Sequence, residues 1–257
     1  MSKPYNMTEL MACVAARFLE DKKIVFVGTG LPILAAMLAQ RLHAPNMVIF
    51  FEAGGLGPEV PALPISVGDS RTFYKALMAT SMDYVMSCAQ LGYFDYAFLG
   101  GAQIDMYGNL NTTVIGEHDN PKVRLPGSGG ANDGGSLAWR TIIIMRQDPQ
   151  RFVEKVDFIT TPGYLSGPGA REKAGLPEGS GPYRVITQLG VYDFDEETKR
   201  MRLISVHPGV TVEDVMKNTS FELLVADKVE TTEEPSPREL EILRGIREAW
   251  IVIGKQK

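Results

Sequence analysis

Cysteine is nearly missing: Cys13 and Cys88 are the only two in 257 residues. Both fall in segments with a helical pattern, so neither a disulfide framework nor a spaced thiolate cluster is expected. Histidine is as scarce. His43, His118 and His207 are scattered along the chain, which argues against a histidine metal centre. Basic charge is not in excess either: 26 Lys and Arg stand against 31 Asp and Glu, a formal net charge of −5. That balance gives no support to nucleic-acid binding. No apolar run approaches the roughly 18 residues that would suggest a membrane span. The polar start MSKPYNMTEL lacks the apolar centre of a secretory signal. The expectation is a cytoplasmic protein with no nucleic-acid or membrane partner and no metal.

The remaining composition is that of a globular protein, with 44% hydrophobic and 22% charged residues. The length suits one large α/β domain or two small ones, and no boundary stands out, so 1–257 reads as a single domain. Met7, Leu10, Met11, Val14, Ala15 and Phe18 recur at helical spacing. IVFVG (24–28) is then a fully apolar strand, and Leu31, Ile33, Leu34, Met37, Leu38 and Leu42 mark a second helix. MVIFF (47–51) is another apolar strand. Two all-apolar strands joined by a helix indicate a parallel βαβ unit.

Further along, 71–93 reads as helical, and YAFLGGAQID (96–105) as a strand running into a loop. TIIIM (141–145) and VDFITT (156–161) read as strands. The stretch 163–182, rich in Gly and Pro, is expected to be a functional or partner-binding loop, or disordered. RVITQLGVYDFD and KRMRLISVH suggest a hairpin, and VEDVMKNT a short helix. SPREL (236–240) is a helix start, with Ser236 as cap, Pro237 in the first turn and Glu239 three residues after the cap. Alternating strands and helices make the fold class α/β, with an open, largely parallel sheet, helices on both faces and a C-terminal hairpin and helix.

Four segments carry candidate chemistry. GTGLPI (28–33) is a partial dinucleotide fingerprint, with Gly28 and Gly30 in place and Ile33 where a third glycine belongs. Glu52 follows about 20 residues on, where such folds hold a ribose, so a nucleotide-binding reading stays open. A plain strand-to-helix turn is the bland alternative. In FEAGGLGP (51–58), Glu52 stands at the carboxyl end of a buried strand, the edge where open α/β sheets bind ligands. Gly54 and Gly55 beside it remove side-chain bulk, which would let a thioester approach. A partly desolvated carboxylate there is a candidate nucleophile or base rather than a solvated strand end. GSGGANDGG (127–135) offers backbone N–H groups to an anion or a developing oxyanion, where the alternative is a loose surface loop. GGAQIDMYGNLNTT (100–113) supplies the neutral amides of Gln103, Asn109 and Asn111, which can orient a carbonyl unless they are ordinary turn residues.

Together these segments resemble the class I coenzyme A-transferase family, on its glutaconate branch and among the beta subunits. The likeness runs in order through VGTGLP (27–32), FEAGGLGP, GGAQIDMYGNLNTT, GSGGAND (127–133), VDFITTPGY (156–164), GPGAREKAGLP (167–177) and HPGVTVEDVMKNTSFEL (207–223). The resemblance implies that Glu52, with Gly54 in a Glu-x-Gly context, is the nucleophile. The related 3-oxoacid enzymes carry serine, glutamate, asparagine and glycine there, whereas Phe51 and Ala53 flank Glu52 here. It implies that Gly127, Gly129 and Gly130 form the loop near the thioester, with Gly129 or Gly130 as the oxyanion donor. It places Gly28, Gly30, Gly54, Gly55, Gln103 and Asn111 in contact with substrate or CoA. It further implies coenzyme A as an acyl-CoA substrate without a permanently bound cofactor, a covalent glutamyl-CoA intermediate, and a homologous alpha subunit in an α2β2 assembly. Acyl-CoA hydrolysis or decarboxylation on the same scaffold is the alternative within the family. A nucleotide- or sugar-phosphate-binding module is the alternative outside it.

Overall fold

The computed structural model describes residues 4–254. The first and last three residues lie outside that range, and with them part of the polar MSKPYNMTEL start. The chain divides into two compact units, one formed by residues 1–98 and 234–257, the other by 99–233.

The first unit opens with helix α1 (Met7–Arg17), whose capping box joins Asn6 and Glu9 reciprocally. Strand β1 (Ile24–Val27), helix α2 (Leu31–Leu42) and strand β2 (Val48–Phe51) follow as the βαβ unit expected. Val25, Val27, Ile49 and Phe51 are fully buried, which is why these strands carry no polar face. β1 pairs parallel with β2, and its other neighbour is the parallel strand β5 (Tyr96–Leu99). Beyond β2 lie two short antiparallel strands, β3 (Gly55–Leu56) and β4 (Met78–Ala79), giving the order β5-β1-β2-β3-β4. Phe94 stacks on Phe26 with centroids 5.0 Å apart and meets Phe50 edge-on, locking the aromatic centre of this core.

The helix expected over 71–93 is broken. A 3₁₀ turn spans Ser70–Phe73, capped by Asp69, and β4 then intervenes. Only Met82–Gln90 is helix α3. Apolar spacing alone cannot separate a continuous helix from a turn, an edge strand and a shorter helix that happen to keep phase.

The second unit begins with two small antiparallel pairs, β6 (Gln103–Ile104) with β7 (Leu110–Asn111), and β8 (Val114–Gly116) with β9 (Pro121–Arg124). Helix α4 (Ala131–Leu137) and strand β10 (Arg140–Ile144) come next. VDFITT is not a strand; within it only Thr161 bridges, to Leu110. The glycine-rich stretch 163–182 is ordered and contains a one-turn helix, α5 (Ala170–Lys173). The sheet is completed by β11 (Gly181–Ile186), β12 (Gly190–Phe194) and β13 (Met201–Val206), then helix α6 (Val212–Lys217) and β14 (Leu224–Thr231). Its order is β14-β13-β12-β11-β10, parallel at both ends and antiparallel in the middle. The β12–β13 hairpin, expected from the sequence, turns on Asp195, which accepts from Thr198. Ile104, Leu110, Ile143, Phe152, Tyr192 and Leu203 are among the side chains of its core.

The chain then returns to the first unit with α7 (Pro237–Gly245) and α8 (Trp250–Ile253). Ser236 caps α7 and Glu239 closes the capping box, as read from SPREL. Two ion pairs tie this segment to α1: Arg17 to Glu239 at 2.7 Å and Arg244 to the fully buried Glu9 at 2.7 Å.

Candidate active site

Glu52 is the first residue past β2. The parallel register pairs Val27 with Phe51, so Gly28 and Glu52 leave the sheet side by side at its carboxyl edge. Neighbouring strands are roughly 5 Å apart, which sets the spacing of these two backbones. Phe51 is wholly buried while Glu52 is half-buried, so the polar side chain begins where the core ends. Gly54 donates its N–H to the Phe51 carbonyl at 3.0 Å, closing a tight turn that presents Glu52 and Ala53 at its apex. A Cβ on Gly28 would meet nothing within 4 Å, and the same holds for Gly30, which stands at φ +81° before α2. Open space therefore lies over both glycines on the edge that carries Glu52.

Gly54 and Gly55 are closely packed on the side where a Cβ would stand. A Cβ on Gly54 would fall 2.0 Å from the Thr80 carbonyl oxygen, and one on Gly55 2.0 Å from that of Thr72. Their lack of side chains lets segments 72 and 80 close over the turn.

In the second unit the loop 127–130 is held at both ends. Gly127 donates its N–H to the Thr112 carbonyl at 2.8 Å, and its own carbonyl accepts from the Thr112 hydroxyl at 2.8 Å. On the far side, Asn132 donates its side-chain amide to the Thr160 carbonyl at 3.0 Å. The Ser128 hydroxyl oxygen accepts from the Asn132 N–H at 3.0 Å. Gly130 is buried, whereas Gly129 is exposed at φ +50°. Among the described residues no partner is found for the Gly129 N–H. The three glycines are thus unequal: Gly127 anchors the loop, Gly130 is buried, and Gly129 is exposed.

Gln103 and Asn111 face each other across β6 and β7. The Asn111 amide donates to Gln103 Oε1 at 2.6 Å and to the Val114 carbonyl at 2.6 Å. Gln103 donates to Asp157 Oδ2 at 3.1 Å and accepts from the Asp157 N–H at 3.0 Å. Asn111 is fully buried and Gln103 nearly so. Their hydrogen-bonding capacity is taken up inside the protein, where they fix the strand pair and the 157 segment.

Two buried groups escaped the sequence reading. Asp105 accepts from the backbone of Tyr107 and Asn109 at 3.0 and 3.1 Å and from the Asn109 amide at 2.8 Å. Burial pushes its carboxyl up to about 6 in spite of these donors. The Asn109 oxygen accepts from the N–H groups of Gly163 and Leu165, binding the glycine-rich stretch to this turn. The other is Arg171, within GPGAREKAGLP and almost fully buried. An Asp before a Tyr-Gly-Asn turn was a visible sign for the first. Nothing local marks the second, whose partners lie on distant segments.

The first unit thus carries a carboxylate at the carboxyl edge of a βαβ unit without the third glycine of a dinucleotide fingerprint, and the second unit carries a pinned glycine loop. The sequence profile of the family described as Coenzyme A transferase matches residues 8–218, and the chain belongs to that family. Within it, the chain is a CoA-transferase of the glutaconate and 3-oxoadipate type. It is 40% identical to the B subunit of glutaconate CoA-transferase from Acidaminococcus fermentans, over 93% of this chain and 91% of that protein. It is 39% identical to the B subunit of 3-oxoadipate CoA-transferase from Pseudomonas knackmussii, over 94% and 93%. The crystal structure of the Acidaminococcus fermentans glutaconate CoA-transferase superposes with a TM-score of 0.93 at 36% identity, covering all of both chains.

Proposed function

We propose that this chain is the beta subunit of a heteromeric enzyme that moves CoA from an acyl-CoA to a carboxylate acceptor, through covalent intermediates on Glu52. The observation that carries this reading is the placement of Glu52 beside Gly28 at the carboxyl edge, under open space. The Glu52 carboxylate adds to the thioester carbonyl, and the tetrahedral adduct expels CoA thiolate to leave an acyl–glutamyl anhydride. The thiolate adds to the glutamyl carbonyl, releasing the first acid as its carboxylate and leaving a glutamyl-CoA thioester. An acceptor carboxylate runs the two steps in reverse. Kinetics are ping-pong, and the thioester is activated enough that no bound cofactor is required. Each addition creates an oxyanion, and we assign its stabilisation to the Gly129 N–H, with Gly127 as the anchor of the loop. A donor of this type is worth about 3–4 kcal/mol. Gly30 keeps the start of α2 clear of the edge, and Gly54 and Gly55 shape the turn. Gln103 and Asn111 act as the internal brace of the 100–113 segment.

Residues 1–257 are read as one working subunit. Its partner is a homologous alpha chain, since both curated relatives are B subunits, and α2β2 is the assembly we infer. The test is transfer from acyl-CoA to acceptor acids by the chain co-purified with its alpha partner. Glu52→Gln is expected to abolish transfer, and borohydride reduction after acyl-CoA treatment to mark the peptide bearing Glu52. A mark on another peptide removes the nucleophile assignment. Loss of acyl-CoA with no acceptor present replaces the transferase with a hydrolase or decarboxylase. Calorimetric binding of NAD or a sugar phosphate, without reaction, points to a binding module.

A further inference from the structure

We propose that Arg171 is a positioning residue: its guanidinium clamps the helix behind the glycine loop and so sets the direction of the Gly129 N–H. The proposal rests on the oxyanion role just assigned. Arg171 is 1% exposed. Nη1 donates to the carbonyls of Pro162 at 3.1 Å and Gly163 at 2.8 Å. Nη2 donates to the carbonyls of Gly135 at 3.3 Å and Ser136 at 3.1 Å and to the Ser180 hydroxyl oxygen at 2.9 Å. One side chain thus joins α4, the 162–163 segment, α5 and the approach to β11. All five acceptors are neutral. The Ser180 hydroxyl donates a hydrogen bond to the Pro177 carbonyl at 2.7 Å, so the last of them is itself fixed.

The clamp acts on one end of the loop only. The Gly127 end is pinned to Thr112, and the Thr112 N–H is pinned in turn to the Thr160 hydroxyl oxygen at 2.9 Å. The Gly130 end runs directly into α4, and the carbonyls of α4 at Gly135 and Ser136 are the ones Arg171 holds. α4 packs closely on its support, where a Cβ on Gly135 would fall 2.1 Å from the Thr161 methyl, and that apolar contact has no hydrogen bond of its own to fix the helix along its length. With the guanidinium removed, α4 can shift over that support while Gly127 stays, and the peptide between them turns. An N–H aimed at an oxyanion loses most of its effect when displaced by about 1 Å.

The residue type fits a positioning role in addition to a stabilising one, since losing the guanidinium also leaves its buried acceptors unmet. What guanidinium adds is a rigid planar fork that fixes several acceptors in one plane, which an ammonium cannot reproduce. Burial holds the Arg171 pKa below the usual arginine range, while Tyr164 and Glu172, the titratable groups facing it, favour the charged form.

The experiment compares wild type, Arg171→Lys and Arg171→Met, each as the full chain with its alpha partner. Hydrogen exchange is followed in peptides covering 127–137 and, as an internal reference, 24–51. Arg171→Met is expected to speed exchange in 127–137 alone, to lower kcat about 100-fold and to leave KM for acyl-CoA within about threefold, the pattern of a misplaced transition-state donor. Arg171→Lys is expected to fall between, regaining part of the loss. Unchanged exchange in 127–137 with kcat near wild type overturns the proposal. So does faster exchange across both regions with kcat falling only as the folded fraction falls. If Arg171→Met does not fold, Arg171→Lys carries the same readouts. The exchange result also separates this proposal from the functional one. Wild type that transfers no CoA would end the oxyanion reading, while selective loosening of 127–137 would still support the clamp.

Discussion

The two units would prepare the reactive groups proposed above in opposite ways. In the first, the group is a side chain at the end of a regular strand. The register of β1 and β2, the apolar run to Phe51 and one tight turn are enough to present Glu52. In the second, the group is a backbone N–H in a glycine loop with almost no regular structure of its own. Its proposed direction comes from polar side chains: half-buried Thr112 and buried Thr160 at one end, exposed Asn132 and buried Arg171 at the other. A strand end can be prepared by hydrophobic burial alone. A backbone donor needs a satisfied hydrogen-bond network, because each buried polar atom left unpaired costs about 1–3 kcal/mol.

This difference predicts that chemistry and stability separate in the first unit and are linked in the second. The largest effect expected is that of Glu52→Gln, which keeps shape and volume. Transfer should fall by more than about 10³-fold with thermal stability within a few degrees of wild type. Glu52→Asp, which withdraws the carboxylate by one methylene, should also be strongly impaired. Rate assays and melting curves on the same samples check the separation, and a large loss of stability in Glu52→Gln would break it.

Next in size is Gly55→Ala. The added Cβ meets the Thr72 carbonyl at 2.0 Å, a backbone atom that cannot swing away. The turn must open, at a cost of about 3 kcal/mol or more in stability. Urea unfolding measures this. A loss of activity with unchanged stability would support Gly55 as a substrate contact. Gly28→Ala, with open space above it, is the internal control and should be close to neutral for stability.

How much of this was legible in the sequence follows the same division. β1, α2 and β2 could be read because fully buried parallel strands are uniformly apolar and the helix keeps a 3.6-residue period. Glu52 stood out because it interrupts such a run. The Ser236 cap was visible because capping is local in sequence. The second unit hid its logic. Gln103 looked like a free amide because its partner Asp157 lies 54 residues away. The stretch 163–182 looked loose because Arg171, its organiser, bonds to carbonyls that any residue carries. VDFITT resembled a strand by composition, yet its backbone is occupied by Leu110 and by side-chain partners rather than by a ladder. Long-range polar pairing leaves no periodic trace.

The linkage expected in the second unit is tested by Asn109→Ala. That amide serves Asp105, Gly163 and Leu165 together. Its removal leaves buried partners unmet and should cost about 2–4 kcal/mol. It should also increase protease cleavage between 163 and 182, which limited proteolysis reads directly. A stable variant with an intact 163–182 segment would show that the network is redundant.

The smallest effect is the pH response of Asp105. Its carboxyl lies near 3.8 in the unfolded chain and at about 6 when buried. Between those values the folded state binds more protons than the unfolded state, so stability falls as pH rises from about 4 to about 6 and levels off above. The contribution is full below about pH 4 and gone above the folded value, amounting to about 3 kcal/mol in all, of which about 2 kcal/mol falls between pH 4.5 and 7. Asp105→Asn deletes this segment of the curve, which urea midpoints at pH 4.5 and 7 would show as a reduced difference. The same substitution sets an amide N–H against the Asn109 amide that now donates to Asp105 Oδ2 at 2.8 Å, so the variant should be uniformly less stable across the range. A pH slope that survives in Asp105→Asn would assign it to another group and leave Asp105 ionised throughout. The turn would then be held by charge-assisted bonds, and the second unit would depend on electrostatics as directly as the first depends on Glu52.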